Sequence, residues 1–430
     1  MPHIVLLGTC DTKLAELLYL RSQILESGGP TCKVTFVDVG RTPSAHEHID
    51  VRQDTLAKEY APESGAKDVA SLPRGEVIRY MIACATKWLA EAYTKGLKDP
   101  DAAIHGCINA GGTGNTSLAS AVMREVLPIG LPKLIVSTNA SGDMGPIVGE
   151  SDITMMYSVC DIAGLNYLLR RILSNAAGAI AGMAQAYERS IAASPHGVGV
   201  QQKKRVGLTM FGVTTPCVDK IRDHLESNYH IECFVFHQLC GGVMDAGPLR
   251  LEAPLKAGIP YIVSVGATDM VNFGPRSTVP ERYQQRNLYE HNPTVTLMRT
   301  NAKECRAIGD FIVKKIKHCT KDAAQVQVVL PLGGVSKHPS SCKPGMMLVT
   351  PTDTAVHRFA GMIATPGGPF HDAESDEALF STIRAGLKGS KVLVVEDERT
   401  INDQGFAVDV AERLIHLMGL SRMGAPQRMQ

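Results

Sequence analysis

Residues 103–127 read AIHGCINAGGTGNTSLASAVMREVL, and this stretch indicates the fold class. Its first part, Ala103–Ala110, is mainly apolar and predicts a buried strand. Three glycines follow, and apolar residues then recur at helical spacing from Thr116 to Leu127. A strand, a glycine turn and a helix in immediate succession are typical of a parallel α/β sheet.

The turn between this strand and helix has the composition of an anion-binding loop. Gly111, Gly112 and Gly114 would permit positive φ and a close approach of the backbone to a ligand. The helix that follows would present unpaired N–H groups to a phosphate at its N-terminus. The segment Gly111–Gly114 is therefore a candidate phosphate cradle, and a tight turn without a ligand is the alternative interpretation.

This turn departs from the usual dinucleotide fingerprint. Gly112-x-Gly114-x-x-Ser117 has serine in place of the third glycine. The next predicted strand, Lys133–Thr138, ends in hydroxyl residues rather than in an acid that would hold ribose hydroxyls. The chain also has no G-x-x-x-x-G-K-[ST] motif. Neither ordinary NAD binding nor a P-loop NTPase is therefore indicated.

Outward from this stretch, strands and helices alternate through the first half of the chain. The patterns predict strands at His3–Gly8, Lys33–Val39, Ala103–Ala110, Lys133–Thr138 and Asp152–Tyr157, and helices at Lys13–Glu26, Gly75–Tyr93, Thr116–Leu127 and, as one or two helices, Asp161–Arg189. This order favours a parallel sheet with helices on both faces.

Two further turns would open at the same edge of the sheet, where open parallel sheets bind their ligands. In Gly8–Lys13, Thr12 can cap the following helix and Lys13 adds positive charge. The other turn, Ser137–Asp143, is rich in hydroxyl groups. Three such turns would meet at one binding site at this edge of the sheet. The candidate ligand-binding residues are Thr9, Asp11, Thr12, Lys13, Gly111, Gly112, Thr113, Gly114, Ser137, Thr138, Ser141 and Gly142.

The alternation stops at residues 194–205 and restarts beyond them. This stretch, SPHGVGVQQKKR, has no apolar period and predicts a linker between domains at 1–193 and 206–430. The second half is predicted to contain strands Val206–Phe211, Glu232–Phe236, Tyr261–Val265, Gln327–Leu330 and Lys391–Val395, and helices Pro216–Ser227, Leu249–Ala257, Ala302–Lys317, Asp353–Ile363, Ser375–Leu387 and Asp403–Met418. We therefore expect two α/β domains with mainly parallel sheets.

The second half also offers candidate catalytic residues. Asp269 and Asn272 follow the predicted strand Tyr261–Val265, where parallel sheets deliver site residues, and a role in loop structure is the alternative. His291 and Arg299 flank a further turn and helix start, where a structural role is the commoner one.

No metal site is predicted. The chain has no H-E-x-x-H motif, and His46-Glu47-His48 has the wrong spacing for a helical zinc pair. An acidic cluster lies at a predicted helix start, where carboxylates usually offset the helix dipole, and its members are Asp372, Glu374, Asp376 and Glu377. G-x-S-x-G is also absent, so a hydrolase elbow is not supported.

The composition limits which binding partners and which cellular compartment are expected. The 430 residues include 44 Lys and Arg against 43 Asp and Glu, so no basic excess indicates nucleic-acid or membrane binding. No stretch approaches the ~18 apolar residues of a membrane span. The N-terminus, MPHIVLLGTCDTK, lacks a cationic leader region, and the 11 Cys include no C-x-x-C motif. These features predict a cytoplasmic protein with reduced, buried thiols.

Six motifs distributed over nearly the whole chain point to one family. They are Gly8-Thr-x-Asp11-Thr-Lys13, Gly111-Gly-Thr-Gly114, Ser158-Val-x-Asp161-Ile-x-Gly164, Gly212-Val-Thr-Thr-Pro-Cys217, Asp269-Met-Val-Asn-Phe-Gly274 and Leu297-Met-Arg-Thr300. Together they resemble the UPF0261 family, also called the Tm-1-like ATP-binding proteins, which includes the inhibitor domain of a tomato resistance protein.

The resemblance implies two Rossmann-like domains, with ATP bound by the N-terminal one. Mg²⁺ is a further candidate cofactor. It implies no particular reaction. Between Phe236-His237 and Gly241, where relatives carry a further βα unit with a threonine-rich turn, this chain has only Gln238-Leu-Cys240. The second domain is therefore expected to lack one βα unit, and Asn115 stands where relatives often have glycine.

Three functional hypotheses follow. The leading one is a protein that binds ATP or a related nucleotide in its N-terminal domain and forms a homo-oligomer. The second is an accessory enzyme of a small-molecule or secondary-metabolite pathway, which would use Asp269, Asn272, His291 and Arg299 in the interdomain cleft. The third is a protein-interaction or inhibitor module with a structural nucleotide. Nucleotide turnover would distinguish the second from the third.

Overall fold

The computed structural model describes residues 1–193, 203–237, 247–336 and 364–423. The chain divides into two compact units, 1–199 and 200–430. Each unit has hydrophobic clusters of its own.

The first unit is a five-stranded parallel sheet with helices on both faces. Its strands are β1 (His3–Gly8), β2 (Lys33–Asp38), β3 (Gly106–Gly111), β4 (Lys133–Ser137) and β5 (Thr154–Tyr157), and its helices are α1 (Cys10–Gly28), α2 (Gln53–Glu59), α3 (Arg74–Lys98), α4 (Thr113–Val126), α5 (Gly145–Val148) and α6 (Tyr167–Ala193). The strand order is β2-β1-β3-β4-β5, and every pairing is parallel. The α/β class and the parallel sheet predicted from the sequence are confirmed.

Both faces of this sheet are buried, because successive side chains of a strand point to opposite faces. In β1, Ile4 and Leu6 pack in one cluster with residues of α1 and α6. Val5 and Leu7 pack in the other cluster, with residues of α3 and α4. All four side chains are fully buried. This two-sided burial explains why the strands read as continuous apolar runs in the sequence.

Two helices begin earlier than their apolar patterns predicted. The helix α4 begins at Thr113 and α1 at Cys10, because the polar first turn of a helix carries no apolar period. Lys13 has non-helical angles (φ −139°, ψ 28°), so a kink follows the first turn of α1. The prediction that Thr12 caps α1 is wrong, since Thr9 is the N-cap residue and Thr12 lies inside the helix.

The second unit combines parallel pairing with a small antiparallel sheet. Its strands are β6 (Lys204–Met210), β7 (Ile231–His237), β8 (Tyr261–Val263), β9 (Met270–Phe273), β10 (Leu288–Asn292), β11 (Val295–Arg299), β12 (Val326–Pro331) and β13 (Leu393–Asp397), and its helices are α7 (Thr215–Asn228), α8 (Glu252–Ala257), α9 (Ala302–Cys319), α10 (Ala373–Leu387) and α11 (Gln404–Met418). Strands β6 and β7 pair in parallel, and β13-β12-β8 form a parallel sheet. Strands β10-β11-β9 form the antiparallel sheet.

Single-turn 3₁₀ helices connect these elements. They are Val69–Ser71 and Pro100–Ala102 in the first unit, and Gly212–Thr214, Arg276–Thr278, Glu281–Tyr283 and Ala323–Gln325 in the second.

The antiparallel sheet is the main departure from the predicted fold. Residues Met270–Phe273, interpreted as a loop from the sequence, form β9, and Phe273 pairs opposite Thr296 of β11. The strands of this sheet have only four or five residues each. Strands this short give too few alternations for a pattern to be recognised.

Some sequence predictions fall outside the described residues. They concern most of the predicted linker (194–202), the predicted helix at 353–363, and the joint at 238–240 where a βα unit is expected to be missing. These stay predictions. Among the described residues, β6 begins at Lys204, earlier than its predicted start.

The described cysteines are partly buried thiols. The nine described cysteines are free, and five of them are buried. Burial raises the pKa of Cys107 and of Cys217 to about 12, so these thiols are poor nucleophiles at neutral pH.

A membrane crossing would need a helix that is both long and apolar. None of the helices in the described ranges meets both conditions.

Candidate functional site

The strand order of the first unit defines where a ligand would bind. Strands β1 and β3 are neighbours, but the chain continues from β1 to β2 on one side and from β3 to β4 on the other. The helices that follow them, α1 and α4, pack in different clusters on opposite faces of the sheet. In open α/β sheets a crevice opens at such a switch point, outside the carboxyl ends of the two strands. The turn after β1 and the glycine turn after β3 border it.

The glycine turn leaves room for a ligand at Gly112 and little at its neighbours. A Cβ atom at Gly111 would lie 2.3 Å from Nδ2 of Asn115, so a side chain there would displace Asn115. A Cβ atom at Gly114 would lie 3.3 Å from a side chain of α3. A Cβ atom at Gly112 would meet only Oγ1 of Thr138, at 3.8 Å. The backbone is therefore open to close approach at Gly112.

The expectation of positive φ in this turn is wrong. Gly112 is the N-cap residue of α4, with φ −82° and ψ −174°. Neither Gly111 nor Gly114 is among the glycines with positive φ. Any residue can adopt the extended backbone of Gly112, so what glycine contributes there is the absence of a side chain.

The helix α4 begins its hydrogen-bond ladder at this turn. Its first bond runs from the N–H of Thr116 to the carbonyl of Gly112, at 2.9 Å. The N–H groups of Thr113, Gly114 and Asn115 precede this bond and have no acceptor within the helix. They lie at the positive end of the helix dipole, which favours an anion.

The turn after β1 is held by its own side chains. The carboxylate of Asp11 accepts hydrogen bonds from the N–H groups of Arg41 (2.9 Å) and Thr42 (3.3 Å). Nζ of Lys13 donates to the carbonyl of Ile162 at 2.5 Å. Both side chains therefore hold neighbouring loops, which follow β2 and β5.

Two hydroxyl groups of this turn lie nearer to solvent. Oγ1 of Thr12, which is exposed, lies 3.3 Å from Oγ1 of the half-buried Thr9. Between them, the N–H of Cys10 donates to the buried carboxylate of Asp38 at 3.1 Å. Sequence analysis missed Asp38, although an acid at the end of a predicted apolar strand was a usable signal.

Some candidate residues of the turn after β4 are held in hydrogen bonds within the protein, and others are exposed to solvent. Ser137 is fully buried, and its Oγ accepts hydrogen bonds from Oγ1 of Thr116 (2.8 Å) and the N–H of Asn139 (3.1 Å). Thr138 lies beside the glycine turn, and its N–H donates to the carbonyl of Gly111 at 3.3 Å. The remaining candidates, Ser141 and Gly142, are exposed.

Sequence analysis also missed a buried amide pair at the switch point. Nδ2 of Asn109, which is fully buried, donates to the carbonyl of Leu7 (2.8 Å) and to Oδ1 of Asn115 (3.1 Å). Nδ2 of Asn115 donates to the carbonyl of Ala110 at 3.0 Å. These bonds fix the end of β3 against β1 and against the first turn of α4. The available signal was Asn109 itself, a polar residue near the end of an apolar strand.

In the second unit, Arg299 holds two elements together. Its Nε donates to the carbonyl of Phe370, and its Nη1 donates to the carbonyl and hydroxyl of Thr300. Its Nη2 donates to the carbonyl of Asp372 and, at 2.7 Å, to Oδ1 of Asp376. A guanidinium has five N–H donors. All five are used here, so Arg299 connects the end of β11 to the start of α10 and keeps no donor for a ligand. Its side chain is only 4% exposed.

Asp269 lines a cavity of about 420 Å³ in the second unit. Its Oδ2 accepts a hydrogen bond from Oγ of Ser336, and its Oδ1 is buried without a partner among the described residues. Burial raises the pKa of Asp269 to about 6, although the nearby charge of Arg299 acts in the opposite direction. Asp269 and Arg299 are thus neighbours, as a shared site would require.

The other two catalytic candidates lie elsewhere in the antiparallel sheet. Asn272 is on β9, opposite Leu297, and His291 is on β10. Neither is among the described residues that line the cavity. The structure therefore does not bring the four candidates together around it.

One member of the acidic cluster at the start of α10 has the predicted capping role. Oδ1 of Asp372 accepts from the N–H of Ser375 at 3.0 Å, which caps the helix. Within the described ranges, no group of three or more His, Cys, Asp or Glu side chains could hold a metal ion.

Both units match one protein family. The family described as "Uncharacterised protein family (UPF0261) N-terminal domain" matches residues 2–189. The C-terminal domain of the same family matches residues 203–239, 237–357 and 357–418. The chain belongs to the UPF0261 family. The resemblance predicted from the six motifs is thereby confirmed.

Bacterial and plant proteins are similar over almost the whole chain. A UPF0261 protein of Clostridium tetani is 38% identical over 448 residues, covering 96% of this chain and 98% of that protein. A UPF0261 protein of Mesorhizobium japonicum is 38% identical over 445 residues, with the same coverage. The ToMV resistance protein Tm-1(GCR237) of Solanum lycopersicum is 32% identical over 465 residues, covering 98% of this chain and 56% of the tomato protein.

The comparisons bear on the expected missing unit. The 448 aligned positions of the Clostridium tetani protein exceed the 430 residues of this chain, so that protein has residues without a counterpart here. The match to the C-terminal domain consists of three segments, which meet at residues 237–239 and at residue 357. The first of these junctions lies at the joint where a βα unit is expected to be absent.

Proposed function

We propose that the first unit binds ATP or a related nucleotide, with the phosphates at the N-terminus of α4. The observation that carries this proposal is the open approach at Gly112, which starts a 14-residue helix at the switch point of the sheet. Phosphate oxygens would accept hydrogen bonds from the N–H groups of residues 113–115.

Hydroxyl groups around this turn would complete the site. Thr113 and Thr138 border Gly112, and Thr9 and Thr12 belong to the turn on the other side of the switch point. Mg²⁺ would arrive with the nucleotide, since protein sites commonly bind it through substrate phosphates. A cytoplasmic location, a homo-oligomeric state and a small-molecule substrate are further parts of this proposal.

ATP is expected to stabilise the protein against unfolding. A ligand that binds only the folded state adds about 2.7 kcal/mol to the free energy of unfolding at 100 times its Kd. Thermal unfolding with ATP, with GTP and without nucleotide measures this effect and its base preference. No shift of Tm with either nucleotide at millimolar concentration would contradict the proposal.

The substitution Gly112→Val is expected to weaken ATP binding roughly 100-fold, or about 2.8 kcal/mol. A branched side chain would occupy the space that the phosphate needs, and the φ of −82° lets valine adopt the native backbone. The matched control is Gly178→Val, because Gly178 is an exposed glycine of α6 whose Cβ would meet no atom within 4 Å. Isothermal titration calorimetry gives both Kd values, and unchanged binding by Gly112→Val would place the site elsewhere.

Turnover distinguishes an enzyme from an interaction module. Release of inorganic phosphate from ATP by the purified chain would support an enzyme. Tight binding without release would support a module with a structural nucleotide. The second outcome takes support from the tomato relative, which is named a resistance protein.

A further inference from the structure

The second unit has a cavity of its own at the carboxyl ends of two neighbouring parallel strands. The loops that follow β8 and β12 meet there, because the N–H of Ala267 donates to the carbonyl of Val335 at 2.9 Å. Asp269 on the first loop accepts a hydrogen bond from Ser336 on the second. The volume of about 420 Å³ is within the usual range for small-molecule sites.

The first of these loops has a strained backbone. Val265 and Ala267 have positive φ values, 49° and 58°. Residues other than glycine are uncommon in this backbone region, and those that adopt it concentrate at functional sites. Here the strained segment places Asp269 at the cavity.

The carboxylate of Asp269 is incompletely satisfied by the residues that the structure describes. The residue is only 2% exposed, and its Oδ1 has no hydrogen-bond partner among those residues. A buried carboxylate oxygen without a donor is unfavourable, because it has lost its hydrogen bonds to water. A ligand with an N–H group would supply the missing donor.

The charges around Asp269 favour a cation as that ligand. Asp269, Asp376 and Arg299 together carry one net negative charge when both carboxylates are ionised. All five N–H groups of Arg299 are engaged, and none of them bonds to Asp269. Glu377 also lines the cavity, but its carboxylate is paired with Arg384 at 3.0 Å, and the described lining itself contains no Lys or Arg. An anion in this cavity would therefore be repelled.

Apolar side chains form another part of the wall. Leu332, Val335 and Phe380 line the cavity together with two alanines. Phe380 is only 2% exposed, so it is part of the packed core as well as of the wall. Such a wall favours a ligand with an apolar body.

We propose that this cavity binds a small amine with an apolar body, whose ammonium group donates to Oδ1 of Asp269. The site belongs to the second unit alone, and it does not depend on nucleotide binding in the first. It is formed by loops after β8 and β12, so it is also independent of the unit expected to be missing near residues 238–240.

Three probes of one skeleton test the charge preference on the full chain. Phenethylamine is a cation at neutral pH, 2-phenylethanol is neutral and phenylacetate is an anion. Calorimetric titration is expected to show binding of phenethylamine, at least tenfold weaker binding of 2-phenylethanol, and no binding of phenylacetate. Equal or tighter binding of phenylacetate, or no binding of phenethylamine up to 10 mM (about −2.7 kcal/mol), would overturn the proposal.

The substitution Asp269→Asn assigns the contact. It keeps the shape of the side chain and removes its charge, so phenethylamine should bind at least tenfold more weakly. Glu374→Gln is the control, since Glu374 is an exposed acid of the same region that does not line the cavity. If Asp269→Asn binds phenethylamine like the unmodified protein, the amine site is not at Asp269. If this variant does not fold, the titration of the three probes into the unmodified protein still tests the proposal.

The pH dependence gives an independent readout. Phenethylamine stays protonated below pH 8, and binding requires the ionised carboxylate of Asp269, whose pKa is raised to about 6 by burial. Affinity should therefore be level above pH 7 and fall as the pH drops through 6. The other charged or titratable groups around Asp269 are Arg299, Asp376, Glu377 and His371. Affinity that rises on acidification would overturn the assignment.

Discussion

Replacing Arg299 by methionine is expected to lower the free energy of unfolding of the second unit by about 3–5 kcal/mol. The side chain is almost fully buried and donates to three backbone carbonyls, one hydroxyl and the carboxylate of Asp376. Methionine would leave these acceptors unpaired and would leave Asp376 without its counterion. Arg299→Lys keeps the charge but has only three donors, so its loss should be intermediate.

Urea denaturation combined with hydrogen–deuterium exchange measures this effect and locates it. Exchange should accelerate in Val295–Arg299 and in Ala373–Leu387, the elements that Arg299 connects. Arg306→Met, at an exposed position of α9, should change the free energy of unfolding by less than about 0.5 kcal/mol. A loss below about 1 kcal/mol for Arg299→Met would contradict the structural role.

In the first unit, Lys133→Met is expected to cost about 3 kcal/mol of stability. Lys133 begins β4 with no exposed surface, and its Nζ donates to the carbonyls of Pro128 (2.7 Å) and Leu131 (2.8 Å) and to Asp152 (2.6 Å). Methionine fills a similar volume without any donor. This expected loss of stability is at the low end of the range for a buried ion pair because the Asp152 side chain is 36% exposed.

The acid limb of the stability curve provides a second measurement. Partial burial raises the pKa of Asp152, but hydrogen bonds from Lys133 and from the N–H of Gly130 outweigh it and hold the pKa below its usual value. A depressed folded-state pKa adds stability above the unfolded-state pKa, and this stability is lost as the pH falls through the folded-state value. The difference between the protein and Lys133→Met should therefore shrink in acid.

Lys33→Met is the matched control for this substitution. Lys33 begins β2 of the same sheet but is exposed, so its replacement should change stability by less than about 0.5 kcal/mol. Equal losses for Lys33→Met and Lys133→Met would show that the buried contacts of Lys133 add nothing.

Much of the fold could be predicted from local sequence patterns. The strands of the first unit were found because both faces of its sheet are covered, so that strands such as His3–Gly8 are apolar throughout. The antiparallel sheet was missed because its strands are short and one of them, Leu288–Asn292, is largely polar. Helix starts were placed too late where the first turn is polar, as at Thr113.

The candidate site in the first unit was predicted less completely. The sequence located the glycine turn and indicated a close approach of a ligand to its backbone, for which the structure leaves space at Gly112, but the positive φ that it also indicated is not adopted there. It could not show that Asp11 and Lys13 hold neighbouring loops, or that Asn109 is buried against β1. These roles depend on partners that are far away in the chain.

The sequence by itself determined the α/β class, the position of the glycine turn between a strand and a helix, and the family. Burial, helical period and glycine content are local properties, so short stretches of sequence record them. Only the tertiary structure decided the strand order β2-β1-β3-β4-β5, which places the turns after β1 and β3 at one crevice. It also decided that Asp269 meets Ser336, 67 residues away, and that Arg299 meets Asp376, 77 residues away. Such contacts arise from how strands pair and where loops return, and no local pattern of residues encodes that information.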